Sequence, residues 1–295
     1  MIKLGRKKKK KIETVMFTIP SMILVSITIY IPFLLSGYYA LTEWNGIAKE
    51  PKFIGIDNFV RLFQGDQNFL SALIFTGRYT LLYMVLTNVL AISLAVVLVK
   101  KLRTANLLRG IFFIPYIMSM TIVGFIWKFI FSQGFAGLYD LTGFSILNYS
   151  WLGDVKLVFY SVALVGVWQS VGFYVVLYIA GLQAIPKDVL EAATVDGANA
   201  RTKFFHVTLP LLAPSITTCV LMSLINALKV FDTILALTKG GPAGSTYSVT
   251  LDIYREAFQN NNYGFGSAKA LIFFGIVLLL TQIVLKGFKR KEVDI

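Results

Sequence analysis

The chain has 295 residues, 56% of them hydrophobic and only 15% charged, with a mean hydropathy of +0.71. Soluble domains carry roughly 45–50% apolar and about 25% charged residues, so this composition indicates a polytopic membrane protein and excludes an ordinary soluble enzyme. One cysteine and one histidine leave no internal disulfide, no Cys/His metal centre and no clustered ligands for an integral-membrane enzyme. The net charge of +13 sits in short segments beside apolar runs, without the basic and aromatic stripe of a nucleic-acid surface.

Residues 1–14 form a basic segment. Its Lys7–Lys11 run suits topology and contact with anionic lipid. Six apolar runs follow, each long enough to cross a bilayer as a helix, at about 15–41, 73–99, 107–131, 157–182, 209–237 and 265–288. Residues 289–295 form a basic tail. The first run is too long for a cleaved signal and lacks a small-residue cleavage site, so it is expected to stay as a helix. Pro20, Pro32, Pro115, Pro210 and Pro214 lie in or beside the runs and are expected to bend them. Ordinary membrane-helix proline and bent helices around a passage are both open readings. Arg78, Lys128 and Lys269 lie near outer run ends, where their side chains can snorkel to the interface. Trp44, Trp127 and Trp151 suit an outer aromatic belt.

Basic residues set the orientation. Eighteen of the 28 Lys and Arg residues fall in the N-terminal segment, the loop after run two, the loop after run four and the C-terminus, counted with the run ends beside them. Six fall in the opposite loops. Both termini and the 183–208 loop are therefore expected in the cytoplasm, and the loop after run five outside.

Residues 183–208 read as two short helices joined by a turn. Pro186 suits a first helical turn, and Asp188 and Glu191 favour that end of the helix dipole. Asp196-Gly197 is a turn signal. A second helical piece runs from Asn199 to His206, and Leu209-Pro210 opens run five. Ala192, Ala193 and Ala198 are small enough for a close approach, and Glu191 offers a charge to a partner. A simple connector and a docking element both fit this pattern. His206 reads as a surface or helix-end residue.

Within the runs, Asn226, Lys229 and Thr233 fall at helical spacing on one face of run five, with Asp232 three residues from Lys229 and able to pair with it. Tyr116 and Ser119 in run three, and Trp168, Gln169 and Phe173 in run four, add aromatic and polar surface. Such mixtures suit sugars, whose ring faces stack and whose hydroxyls hydrogen-bond. Polar packing between helices is the competing reading.

The spacing Glu191-Ala192-Ala193, three residues, Gly197, nine residues, Val207, one residue, Leu209-Pro210 resembles the coupling-loop signature, or EAA motif, of binding-protein-dependent ABC importer permeases. Val207 stands where that family usually has isoleucine. The stretch Ile185 to Ala198 is similar to the carbohydrate-uptake branch, as are Phe53-Ile54-Gly55-Ile56-Asp57-Asn58-Phe59, Leu228-Lys229-Val230-Phe231-Asp232 and Leu237-Thr238-Lys239-Gly240-Gly241-Pro242. The last three resemble the MalF-like partner of a MalF–MalG pair.

The resemblance implies an all-α membrane protein of type I ABC importer fold. Six transmembrane helices span residues 15–288, with a two-helix coupling loop at 183–208 between spans four and five. It implies a bacterial cytoplasmic-membrane subunit that pairs with a homologous, MalG-like permease subunit. Two ATPase subunits would bind ATP and Mg, and an extracellular solute-binding protein would deliver a carbohydrate. The coupling residues would be Glu191, Ala192, Ala193, Asp196, Gly197, Leu209 and Pro210, with Glu191 meeting a basic residue of the ATPase. This chain carries no Gly-x4-Gly-Lys-Ser/Thr phosphate loop, so no cofactor and no catalytic residue are expected on it. The glycine-rich Gly240–Thr246 stretch reads as a flexible turn, and the resemblance adds contact with the binding protein. Glycerol phosphate or sialic acid are alternative cargoes. A secondary transporter is a more remote alternative, since no carboxylate relay or internal repeat is evident.

Overall fold

The computed structural model describes residues 2–100 and 103–289. Lys101, Arg290 and Lys291, which enter the charge asymmetry, lie outside the described residues, as does most of the 289–295 tail. The side chains of residues 2–8 and 12, part of the N-terminal basic segment among them, are likewise outside the description.

The described residues are mostly helical. Helix α1 comprises Ile2–Val25, a π-helical turn Ser26–Tyr30 and Ile31–Tyr39. A short hairpin pairs β1 (Thr42–Glu43) with β2 (Lys52–Phe53), antiparallel. Then follow α2 (Asp57–Phe63), α3 (Gln67–Leu98), α4 (Ala105–Ile117), α5 (Met120–Thr142, with a π turn at Ile130–Gly134) and α6 (Leu157–Ala184). The second half holds α7 (Lys187–Val195), α8 (Ala200–Leu211), α9 (Ala213–Leu228), α10 (Asp232–Leu237), α11 (Val249–Tyr254) and α12 (Tyr263–Lys289). Among the described residues, Lys9–Tyr39, Gln67–Leu98, Met120–Thr142, Leu157–Ala184 and Tyr263–Lys289 are each long and apolar enough to cross a membrane, and the bent pair α8 and α9 makes a sixth where its two helices are counted as one span. Thr14, Thr18 and Thr28 return their hydroxyls to carbonyls four residues back, at 2.7–2.9 Å. That satisfies them within the helix, as an apolar surrounding requires.

Two compact units are distinguished, one of residues 1–66 with 253–272, the other of 67–252 with 273–295. In the first, Asn58 is buried and donates to the carbonyls of Ala40 and Thr42, both at 2.9 Å. The Phe53–Phe59 stretch thus closes on the end of α1, through a turn at Gly55 with φ +65°. Trp44 stacks on Tyr39 at 4.3 Å. Lys269 does not snorkel outward. Its ammonium lies 2.8 Å from Asp66 and 3.7 Å from Glu256, in a buried side chain. Two acidic partners supply what an exposed end would otherwise take from water.

In the second unit α3, α4, α6 and α9 pack together, and α10 packs on α5 and α6. Ala91, Ala95, Leu98, Tyr174, Tyr178, Leu212 and Cys219 lie in its core. Gly172 permits the closest approach: an added Cβ would collide with the Phe112 carbonyl of α4. Arg78 lies over the Phe159 ring at 5.2 Å. Trp127 and Trp151 join an aromatic cluster around Phe131.

Two of the proline-containing runs are not merely bent but broken. The 107–131 run stops at Ile117 and restarts at Met120, with Met118 and Ser119 extended (ψ 142° and 134°). Pro115 removes a rung of the ladder just before this point. The 209–237 run is interrupted twice. It bends by 69° between α8 and α9, where Pro214 has no N–H for the Pro210 carbonyl and its ring crowds that carbonyl. It breaks again at Lys229–Phe231 before α10. Leu209 and Pro210 therefore ride on α8 and do not open the long helix, which begins at Ala213. Pro186 is one position earlier than expected, capping α7 with ψ 132°.

Candidate functional site: a polar cavity and an exposed helix–turn–helix joined by one helix

A cavity of about 250 Å³ opens at the break between α9 and α10. Tyr116, Gln169, Asn226, Lys229, Asp232 and Thr233, all picked out in the sequence, line it. Helical spacing is not what gathers the last four. Helix α9 ends at Leu228, so Lys229 caps it and Asp232 starts the next helix. The break turns both side chains to the same space. They are exposed and form no ion pair within 4 Å among the described residues, contrary to the expected pairing, because the three-residue break removes the shared helical face.

The break in the third run serves the same cavity. It releases the Met118 carbonyl, which accepts from Gln169 Nε2 at 3.4 Å. Asn226 Nδ2 donates to the Tyr174 hydroxyl at 3.2 Å. Tyr116 stacks on Phe173 at 4.6 Å, with the rings 17° apart. Phe173 thus backs the cavity without lining it. Ser119 and Trp168 are outside the lining. Ser119 caps α5, and Trp168 faces a separate apolar cavity with Leu82, Leu86 and Phe112.

Sequence reasoning missed Tyr79, Tyr83, Met120, Gly166, Ser170, Val230 and Phe231, which complete the wall. A signal was present. Thr76, Tyr79, Thr80, Tyr83 and Thr87 recur at helical spacing along the buried face of α3. Gly166 leaves room there for the Tyr79 hydroxyl. Beyond the cavity, Tyr178 donates to Asn88 Oδ1 at 2.6 Å and Asn88 Nδ2 to Ser223 Oγ at 2.8 Å, joining α6, α3 and α9.

At the other end of α9 lies the second feature. Helix α7 closes in a Schellman turn: the Ala198 N–H donates to the Ala193 carbonyl at 3.0 Å and the Gly197 N–H to the Thr194 carbonyl at 3.1 Å. Gly197 takes φ +80°, a conformation glycine adopts at little cost. Asn199 then caps α8, its Oδ1 accepting from the Thr202 N–H at 2.9 Å. Lys203 donates to the Thr194 hydroxyl and ties the two helices together. A one-turn π segment at Phe204–Thr208 carries the chain to Leu209 and Pro210.

Glu191, Ala192, Asp196 and Gly197 are exposed and Ala193 is half-buried. Glu191 makes no hydrogen bond or ion pair among the described residues. Val195 is 87% exposed, with Val189 and Phe205 also outward. The segment is rigidly built yet turns apolar side chains and a carboxylate to the outside, as a docking element does. His206 is exposed, with Nδ1 3.2 Å from the Thr202 carbonyl.

Residues 87–291 match the family of binding-protein-dependent transport system inner membrane components. The chain is 37% identical over 279 residues to a probable starch degradation products transport system permease protein, AmyD, of Thermoanaerobacterium thermosulfurigenes, covering 95% of this chain and 94% of that one. It is 32% identical over 272 residues to a trehalose/maltose transport system permease protein, MalF, of Thermococcus litoralis, covering 91% and 90%. A chain of a bacterial ABC transporter involved in import of the acidic polysaccharide alginate superposes with a TM-score of 0.85 at 22% identity, over 98% of this chain and 99% of that one.

Proposed function

The chain belongs to the inner membrane components of binding-protein-dependent transport systems, in the MalF-like carbohydrate branch, and on that premise we propose how it works. It forms, with a second MalG-like permease subunit, an alternating-access pathway for a neutral carbohydrate. An extracellular binding protein delivers the cargo. Two ATPase subunits on the cytoplasmic side hold ATP and Mg. Both termini and the Glu191 segment are cytoplasmic, a placement that the Lys and Arg asymmetry supports.

One relationship carries the reading. Helix α9, 16 residues long, connects the 69° bend beside the exposed helix–turn–helix to the break at the cavity wall. At 1.5 Å per residue it spans roughly 24 Å. A displacement of α7 and α8 by the ATPase enters α9 at Ala213 and leaves it at Lys229. Coupling needs such a shared element that both sites bias. Glu191 supplies the charge that meets the ATPase, and Ala192 and Ala193 allow its approach. Asp196 and Gly197 make the turn, and Leu209 and Pro210 carry the motion to the bend.

The cavity chemistry favours a neutral sugar. Tyr79, Tyr83 and Tyr116 offer ring faces, and Gln169, Ser170, Asn226 and Thr233 offer donors and acceptors. Lys229 is the one cationic side chain in the lining and Asp232 faces the same space, so an anionic cargo gains no net charge there. The AmyD relative's name points to malto-oligosaccharides as the first cargo to try.

The test is purification of the chain with its bound partners, followed by uptake of labelled maltose and maltotriose into proteoliposomes. Co-purification of an ATPase and ATP-dependent uptake support the proposal. Uptake by the chain alone, driven by an ion gradient, overturns it.

A further inference from the structure

The break Lys229–Phe231 builds the cavity wall, yet its own sequence holds neither proline nor glycine. What holds it lies 18 and 20 residues further on. Ser248 Oγ donates to the Val230 carbonyl at 2.7 Å, and Thr250 Oγ1 donates to the same carbonyl at 2.6 Å. A carbonyl has two lone pairs and accepts both. Ser248 also caps α11, its Oγ accepting from the Leu251 N–H at 3.3 Å. The Val249 N–H donates to Thr76 Oγ1 of α3 at 3.0 Å. Ser248, Val249, Thr76 and Val230 are all buried. The carbonyl is thus anchored through α11 to the 32-residue helix α3.

A non-helical turn in an apolar interior leaves backbone groups that must find partners. Two hydroxyls on one carbonyl meet that need at Val230. We propose that Ser248 and Thr250 are positioning residues of the transport pathway. They touch no cargo, since neither lines the cavity, but they fix the break that presents Lys229, Asp232 and Thr233 to it. The proposal rests on reading the cavity as the pathway.

The test uses the complex in lipid nanodiscs and compares the double variant Ser248→Ala/Thr250→Ala with Thr250→Ser. Hydrogen–deuterium exchange at residues 228–233 is expected to speed up about tenfold in the double variant, as loss of buried hydrogen bonds to one carbonyl implies. Exchange in α3 and α6 stays unchanged, and Thr250→Ser, which keeps the hydroxyl, matches wild type. For the malto-oligosaccharide taken up by the wild-type complex, KM rises severalfold while the maximal rate holds. Unchanged exchange at 228–233 overturns the proposal. An equal acceleration across α3 and α6 also overturns it, because the hydroxyls would then serve the whole bundle. Local acceleration with unchanged KM removes their role in the pathway. A wild-type complex that takes up no sugar defeats the functional reading, while exchange still decides whether the hydroxyls hold the break.

Discussion

Lys269 Nζ lies 2.8 Å from Asp66 Oδ2, and the lysine side chain is only 1% exposed. Glu256 Oε2 stands 3.7 Å away on another side, and Glu256 itself accepts from Asn262 Nδ2 at 2.7 Å. Two carboxylates thus face one ammonium. Replacing Lys269 by Met takes the ammonium away from two half-buried carboxylates. Breaking a buried pair by removing one partner costs about 3–5 kcal/mol. Asp66→Asn should cost less, because Glu256 still faces the ammonium. Thermal unfolding of the purified complex checks the order: Lys269→Met lowest, Asp66→Asn between it and wild type. Equal melting temperatures for all three would remove the cluster's structural role.

Gly197 and Gly172 separate two uses of glycine. A Cβ at Gly197 meets nothing within 4 Å, but φ is +80°. Gly197→Ala therefore costs only the left-handed backbone penalty, roughly 1–2 kcal/mol, and Gly197→Asn less, since asparagine tolerates that region. A Cβ at Gly172 meets the Phe112 backbone, so Gly172→Val should disrupt the packing of α4 on α6 and lower the yield of folded protein. Expression level and uptake, measured together, distinguish them. Gly197→Ala keeps its yield and loses uptake; Gly172→Val loses both.

The cavity residues can be sorted the same way. Gln169→Ala and Asn226→Ala each remove one polar group from the wall, a loss of about 1 kcal/mol of cargo binding. That corresponds to a KM roughly fivefold higher. Trp168→Leu, in the separate apolar cavity, should leave KM within about twofold. Uptake kinetics over a range of sugar concentrations give the comparison. A larger KM effect at Trp168 than at Gln169 would move the pathway to the apolar cavity.

What the sequence made legible follows from how local each feature is. The α7–α8 turn was readable because Asp196, Gly197 and Asn199 each act on backbone groups two to five residues away. The long apolar runs were readable for the same reason. The break at Lys229–Phe231 was not, because its cause, the hydroxyls of Ser248 and Thr250, is remote in the chain. Its residues still stood out in the Leu228–Asp232 resemblance, though as a helical face. Lys269 was misjudged for a similar reason: Asp66 is some two hundred residues away. Tyr79 and Tyr83 were passed over because aromatic residues in an apolar run blend into it.

Glu191 is the most direct point of attack on the account as a whole. It is exposed and makes no hydrogen bond or ion pair among the described residues, so Glu191→Ala should leave stability within about 0.5 kcal/mol of wild type. The decisive measurement is ATP-dependent sugar uptake by proteoliposomes holding the assembled complex, with ATP on the Glu191 side and the binding protein opposite. The account predicts uptake only when both are present, and at least about a tenfold loss in Glu191→Ala, as expected when one partner of a desolvated interfacial charge pair is truncated. Undiminished uptake by a fully assembled Glu191→Ala complex would contradict it.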